Sequence, residues 1–312
     1  MLSKFHLRFR LVLAVVLSAA FVTASAASLR RVPIILDTDI GSDIDDAFAL
    51  AMVIQSRQLN LKAVTTVSGD TQARARIAAK MLSEAGIKKV PVAAGTPSDM
   101  PAFAQARWAE GFQGPALVSE SAVDLMKQSL DHEKGRMVVV ALGPLTNVAE
   151  LLKRYPEVKS RIREIVLMGG SIARGYDPDS GPTNEYNIAA DAAAAQAVFA
   201  SGIPIRMAPL DVTARLQLED GPREAIFAHH TPLTESLRAL YLLWGQPTPT
   251  LHDPMAVSLL TNPGLCQTKP MRIQIGSDGS TKPATEGLPN ATVSVETQPG
   301  HFIAYYQSLF AR

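Results

Sequence analysis

Short runs rich in valine and isoleucine alternate with stretches of helical period through most of the chain. The runs at residues 32–36, 61–67, 90–94, 137–141, 165–168 and 203–209 read as buried strands. Between them, residues 45–55, 71–85, 122–131, 145–155 and 190–200 read as helices. Gly86, Gly135 and Gly202 stand where helix stops belong. A strand–helix repeat of this kind predicts an α/β fold: a single domain with a mostly parallel central sheet and helices on both faces. Beyond residue 215 the pattern loosens. Helical stretches at 232–244 and 252–260 precede two late strands, 271–275 and 292–296, and a terminal helix, 301–309. No internal repeat or low-complexity linker breaks the chain, which favours one domain.

The first residues follow a different rule. Lys4, Arg8 and Arg10 form a basic segment, residues 11–22 a short apolar core, and Ala24-Ser25-Ala26 a small-residue cleavage site. This predicts a signal peptide over residues 1–26, cut after Ala26, with the domain proper at 27–312. The other reading, an N-terminal membrane anchor, asks for about 20 apolar residues, more than this core offers. The expected destination is secreted, or periplasmic in a Gram-negative host. Composition then removes some partner classes. The chain has 312 residues, is 47% hydrophobic and carries a formal net charge of +1. With no Lys/Arg run in the mature region, no nucleic acid is expected as a partner, and no membrane after signal cleavage. Cys266 is the only cysteine, so neither an internal disulfide nor a thiolate metal cluster is possible, and its expected role is packing.

Candidate chemistry collects at the ends of the predicted strands, where open α/β sheets bind ligands. Five aspartates, Asp37, Asp39, Asp43, Asp45 and Asp46, follow the first strand. Gly69-Asp70 follows the second, Leu142-Gly143-Pro144 the fourth, and Gly169-Gly170 the fifth. Carboxylates this close repel one another unless a positive charge lies among them. Such a set suits a hard divalent cation; calcium takes six to eight oxygen ligands. Helix capping by Ser42 or Asp43 is the competing explanation, but it leaves Asp37 and Asp39 unaccounted for.

The segment "DTDIGSDIDDAFAL" resembles the N-terminal signature of the nucleoside hydrolases, the inosine–uridine-preferring, calcium-dependent N-ribohydrolases. "AVTTVSGD" (63–70), "ALGPLTNVA" (141–149), "IVLMGG" (165–170), "NEYN" (184–187) and "LHDPMAV" (251–257) follow in family order. The resemblance runs from about Val32 to the terminal helix. It implies a nucleoside hydrolase-like fold and hydrolysis of the N-glycosidic bond of ribonucleosides to free base and ribose. It further implies calcium (Ca2+) bound by Asp39, Asp46, Asp253 and the Leu142 carbonyl, with Asp45 as general base toward a calcium-activated water. Glu185 and Asn187 are implied on the ribose hydroxyls, with Asp70 also among the substrate-binding positions. His252 is implied beside the sugar and the departing base, in a catalytic as well as a binding role, and Asp37 as an acid that orients the loop. The implied partner is a small-molecule nucleoside, and the implied assembly a homodimer or homotetramer. These residue types suit the chemistry: breaking a ribose–base bond builds oxocarbenium character, which nearby anionic oxygens stabilise.

The chain also departs from that family. The acidic loop is two residues longer than the usual signature, with Ile40 in place of proline and Asp43 inserted. Asp70 stands where an asparagine is common, Trp108 where some members carry a histidine that helps the base leave, and the loop 171–183 is lengthened. Two other functions compete. One is a non-catalytic exported protein that binds a nucleoside or sugar. The other is a haloacid-dehalogenase-like phosphatase with Asp37 as nucleophile and magnesium as the ion, which leaves "NEYN" and "HDP" unexplained. His229-His230 reads as solvated surface, residues 276–279 as a turn, and Trp244 as packing.

Overall fold

The computed structural model describes residues 31–177 and 179–311, so the expected signal peptide lies outside the described residues. Residues 31–312 form one compact unit. The first half is a run of strand–helix units: β1 (Val32–Thr38), α1 (Asp45–Gln55), β2 (Leu59–Thr66), α2 (Thr71–Glu84), β3 (Val92–Ala94), α3 (Ala122–His132), β4 (Met137–Ala141) and α4 (Thr146–Arg154). Then come β5 (Ile162–Met168), α5 (Tyr186–Ala189), α6 (Ala192–Phe199), β6 (Ile205–Ala208) and α7 (Leu210–Thr213). The chain continues through α8 (Asp220–Phe227), α9 (Pro232–Trp244), α10 (His252–Thr261), β7 (Cys266–Ile275), β8 (Thr281–Ala284), β9 (Ala291–Thr297) and α11 (Pro299–Ser308).

The sheet has nine strands in the order β3-β2-β1-β4-β5-β6-β9-β7-β8. It is parallel from β3 through β9 and turns antiparallel at β7 and β8. Alternate residues of each central strand face opposite sides, as the pleat requires. Ile34 and Leu36 of β1 join Val138 and Val140 of β4 in one core, beneath α1, α2, α9, α10 and α11. Ile35 joins Val139 and Ala141 in the other, beneath α3, α4 and α6. Both faces are therefore covered, which is why these strands read as unbroken apolar runs.

Helix α1 departs from the usual amphipathic pattern. Every residue from Asp45 through Val53 is buried, because the helix lies between the sheet and a second layer of helices. Tyr306 of α11 secures it from behind, its hydroxyl donating to the Phe48 carbonyl at 2.8 Å.

Some expectations need correction. β1 runs on to Thr38, which places Asp37 inside the strand. α8 is a helix that the sequence pattern does not announce, since Gly221 and Pro222 hide its period. β8 is likewise unannounced; "TKPA" is a short, largely exposed edge strand with no apolar run. Gly86 and Gly202 adopt the left-handed conformation of helix stops, at φ 76° and 79°, whereas Gly135 is not among the glycines with positive φ.

Candidate active site

At the end of β1, Asp37 is fully buried. Its Oδ1 accepts from Thr65 Oγ1 at 2.7 Å and Asn147 Nδ2 at 2.8 Å, and its Oδ2 has no partner among the described residues. Burial outweighs those hydrogen bonds and pushes the Asp37 carboxyl up to about 7. The longer acidic loop that follows is fixed by a buried cation. Arg74 of α2 donates to the carbonyls of Asp39, Ile40 (3.0 Å) and Ser68 (2.7 Å) and to Ser42 Oγ (2.8 Å). Its guanidinium carbon lies 4.6 Å from the centre of the Phe103 ring. Gly41 makes this bend possible: it has φ +116°, and a Cβ there would sit 2.6 Å from the Phe103 ring. Gln105 closes the other side, donating to the Asp43 carbonyl at 2.8 Å.

Two carboxylates open α1, where the helix dipole favours negative charge. Asp46 Oδ1 accepts a short hydrogen bond from Thr38 Oγ1. Asp45 Oδ2 accepts from the backbone N–H of Asp253, at the start of α10, at 3.2 Å. One carboxylate oxygen each from Asp45, Asp46 and Asp253 lies within 4.8 Å of the others. Asp39 lines the same cavity, as do Asp43 and Leu142. The Asp39 carboxylate packs against Gly143, where a Cβ would come within 2.9 Å of Oδ1. The expected ligand set of Asp39, Asp46, Asp253 and Leu142 therefore shares one cavity, but the tightest trio includes Asp45 in place of Asp39.

Charge on these acids is strongly opposed. Burial pushes Asp39 up to about 6, against the pull of Arg74. Burial first, and then the neighbouring carboxylates, push Asp45, Asp46 and Asp253 well above the ordinary carboxylate range. A buried donor set made wholly of oxygen fits a hard divalent cation, and not a metal that prefers thiolate or imidazole.

The opposite wall comes from the loop after β5. Glu185 is buried and caps α5. Its Oε1 accepts from Asn187 N at 2.8 Å, and its Oε2 from Gly170 N at 2.8 Å and Ile188 N at 3.1 Å. Burial nonetheless raises its pKa. Asn187 Nδ2 donates to the carbonyls of Leu142 (2.7 Å) and Met168 (3.1 Å), tying this wall to the acidic one. His252 is half-buried, with Nδ1 2.8 Å from Thr213 Oγ1. Loss of water around its ring pushes its pKa down to about 4, so the imidazole is neutral at pH 7. Met100, Met168, Tyr176 and Tyr186 complete an open cavity of about 240 Å³.

Asp39, Asp45, Asp46, Leu142, Glu185, Asn187, His252 and Asp253 thus line one cavity, from strand ends and helix starts far apart in sequence, whereas Asp37 does not line it and is held on Thr65 and Asn147. Asp70 does not join them. It is exposed and caps α2, accepting from Ala73 N at 2.9 Å, because a helix start needs an acceptor there. Trp108 also lies off the cavity wall, with Lys80 Nζ 4.3 Å from its ring centre. His230 is exposed and pairs with Glu235 at 2.8 Å, and Trp244 packs beside Tyr241. Sequence reasoning missed Tyr176, Tyr186 and Met100. Tyr186 carried a signal in its place between Glu185 and Asn187, and Tyr176 in its place within the lengthened loop.

Comparison with known proteins places the chain in a family. The family described as inosine-uridine preferring nucleoside hydrolase matches residues 34–304. The chain is 32% identical over 305 residues to the pyrimidine-specific ribonucleoside hydrolase RihA of Citrobacter koseri, covering 87% of this chain and 95% of that protein. The RihA protein of Shigella boydii is 32% identical over 302 residues, with 87% and 96% covered. Among solved structures, a purine-preferring ribonucleoside hydrolase from Gardnerella vaginalis superposes with a TM-score of 0.75 at 26% identity, covering 89% of this chain and 98% of that one. A plant nucleoside hydrolase shares the fold, with a TM-score of 0.78 at 22% identity over 90% of this chain and 99% of that one. The chain belongs to the inosine-uridine preferring nucleoside hydrolase family and is a hydrolase of ribonucleosides.

Proposed function

We propose that the protein is an exported enzyme that cleaves the N-glycosidic bond of ribonucleosides to free base and ribose, with calcium as its ion and Asp45 as general base. The observation that carries this reading is the meeting of the Asp45, Asp46 and Asp253 carboxylates within 4.8 Å, against one wall of a cavity whose other wall presents Glu185 and Asn187. Asp39, Asp46, Asp253 and the Leu142 carbonyl would hold the ion. Calcium, when bound there, would supply the positive charge that keeps these acids ionised and makes a water easier to deprotonate.

The remaining roles belong to the chain. Asp45, oriented by the Asp253 N–H, accepts the proton of the attacking water. Glu185 and Asn187 hydrogen-bond the sugar. The acid-rich wall stabilises the positive character that grows on the ribose ring as the base departs. Thr213 engages Nδ1 of the neutral His252, which leaves Nε2 as the ring nitrogen for the departing base. Relatives differ in base, pyrimidine-specific in one case and purine-preferring in another, so the test is a screen of both kinds. Purified protein should release base and ribose from at least one ribonucleoside. Asp45→Asn should lower kcat by roughly 10²- to 10⁴-fold, the usual weight of a general base. Elemental analysis should find calcium with the active protein. No turnover of any nucleoside, or an undiminished Asp45→Asn variant, would defeat the mechanism. Export is tested separately: the mature protein should begin at Ala27.

A further inference from the structure

A contact across the cavity joins segments that the sheet keeps apart. Tyr186 opens α5 after β5, Ser68 follows β2, and Met100 follows β3. In the strand order, β1 and β4 lie between β2 and β5, so three strand steps, roughly 14 Å, separate the last two. The side chains nevertheless meet. Tyr186 Oη lies 3.1 Å from Ser68 Oγ and donates to Met100 Sδ at 3.2 Å, and Ser68 Oγ donates to the same sulfur at 2.9 Å. The bridge therefore passes over the ends of β1 and β4, beyond which Asp39 and Leu142 line the cavity that Met100 and Tyr186 also line.

Both flanks are firmly held. Ser68 has φ 70°, a left-handed conformation uncommon outside glycine, and Arg74 Nε grips its carbonyl at 2.7 Å. Gly69 N donates to Ser98 Oγ at 2.8 Å and Ser98 N to the Gly69 carbonyl at 3.1 Å, which docks the Met100 loop on this turn. On the other flank, the Tyr186 N–H donates to Tyr176 Oη at 2.9 Å. The Tyr176 loop is fixed in turn. Asp211 of α7 accepts from Ile172 N at 2.8 Å and Ala173 N at 2.7 Å. Ser171 Oγ donates to the Arg174 carbonyl at 2.6 Å and accepts from Thr183 N at 2.9 Å. Gly175 lies so close to the returning arm that a Cβ would come within 2.8 Å of Ser180 Oγ.

The bridge between the flanks is weak by comparison. A thioether is a poor acceptor, and a hydrogen bond between neutral groups contributes little once water competes for it. Tyr186 is 39% exposed, so water does compete for its hydroxyl. Two firm flanks joined by a weak, wet contact form a joint that opens without unfolding either side. We propose that Tyr186, Ser68 and Met100 form a latch between the two sides of the cavity, closed in this structure, and that its release sets how fast the contents of the cavity exchange with solvent. The inference rests on the ribonucleoside hydrolase reading above only for what the cavity holds; the latch rests on the three contacts.

The test uses Tyr186→Phe, which keeps the ring, and Met100→Leu, which keeps the volume and removes the acceptor. Hydrogen exchange of the whole protein is followed by mass spectrometry. Each variant should exchange about two- to tenfold faster than wild type over both residues 95–103 and residues 184–190, the weight of one neutral hydrogen bond. The effect must cross the cavity: Met100→Leu loosens 184–190, and Tyr186→Phe loosens 95–103. Loosening confined to the substituted side, or none at all, overturns the latch. Under excess chelator in stopped flow, calcium should leave Tyr186→Phe faster than wild type by a similar factor. An unchanged rate of loss overturns the control of exchange while leaving the hydrolase reading intact. A wild type that binds no calcium defeats the metal reading instead, and the hydrogen-exchange rates then decide the latch on their own.

Discussion

Asp37, Asp39, Asp45, Asp46 and Asp253 occupy surroundings that resist their own ionisation. Asp37 is pushed up to about 7 and Asp39 to about 6, against 3.8 for an ordinary aspartate. The sign follows from proton counting. Without a cation, the folded protein retains protons that the unfolded chain has already released. Stability of the metal-free form should therefore fall as pH rises through the range from about 4 to about 7. Thermal melting of chelated protein should show a midpoint that drops between about pH 5 and about pH 8, and added calcium should remove most of that slope. Equal slopes with and without calcium would contradict a buried cation site. These acids are legible in the sequence because so many carboxylates in so few residues demand an explanation. Asp70 misleads for the same reason: an aspartate after a strand serves a helix start as readily as a sugar, and only its exposure separates the two.

Between elements, close approach does work that residue types do not advertise. Gly143, just beyond β4, leaves room for the Asp39 carboxylate; a Cβ there would also sit 2.7 Å from Val67. Gly143→Ala should weaken calcium binding by about tenfold or more, read by calorimetry, while far-UV circular dichroism stays that of the wild type. A variant that binds calcium normally would show that Asp39 does not need this gap. A change remote from the site makes the contrast. Thr231 begins α9 with a reciprocal cap, its side chain accepting from Thr234 N and its N–H donating to Thr234 Oγ1. Thr231→Ala should lower stability by about 1 kcal/mol in urea unfolding and leave kcat unchanged. The elements that the sequence announces best carry a plain local signal: β1 is an unbroken apolar run, and α9 opens on the capping Thr231 followed by Pro232. Those it conceals, α8 and β8, are short and polar, and their placement depends on neighbours far along the chain. Tyr176 is concealed likewise, because loop geometry fixed by Ser171, Gly175 and Asp211 has no periodicity.

Across the whole molecule, the parallel sheet brings the ends of β1, β4 and β5 to one rim, and α10 closes that rim from the far side. Its position depends on the last helix too: Phe302 and Tyr306 of α11, and Phe310 just beyond it, are buried in the same core as α1. Tyr306→Phe removes the hydrogen bond to the Phe48 carbonyl and leaves that acceptor buried. It should lower stability by about 1–2 kcal/mol, a drop of roughly 2–6 °C in Tm for a chain of this size. A Tm unchanged within 1 °C, on the order of measurement error, would show that this contact carries none of the load.

The pairing of α1 with α10 has a consequence for how each molecule matures. Asp253 accompanies Asp45 and Asp46 from the other end of the polypeptide, so a nascent chain halted before residue 253 has only part of its cage. Cation loading is then a late event that reports a finished molecule. In refolding experiments calcium should accelerate or stabilise the final docking phase and leave the earliest collapse untouched.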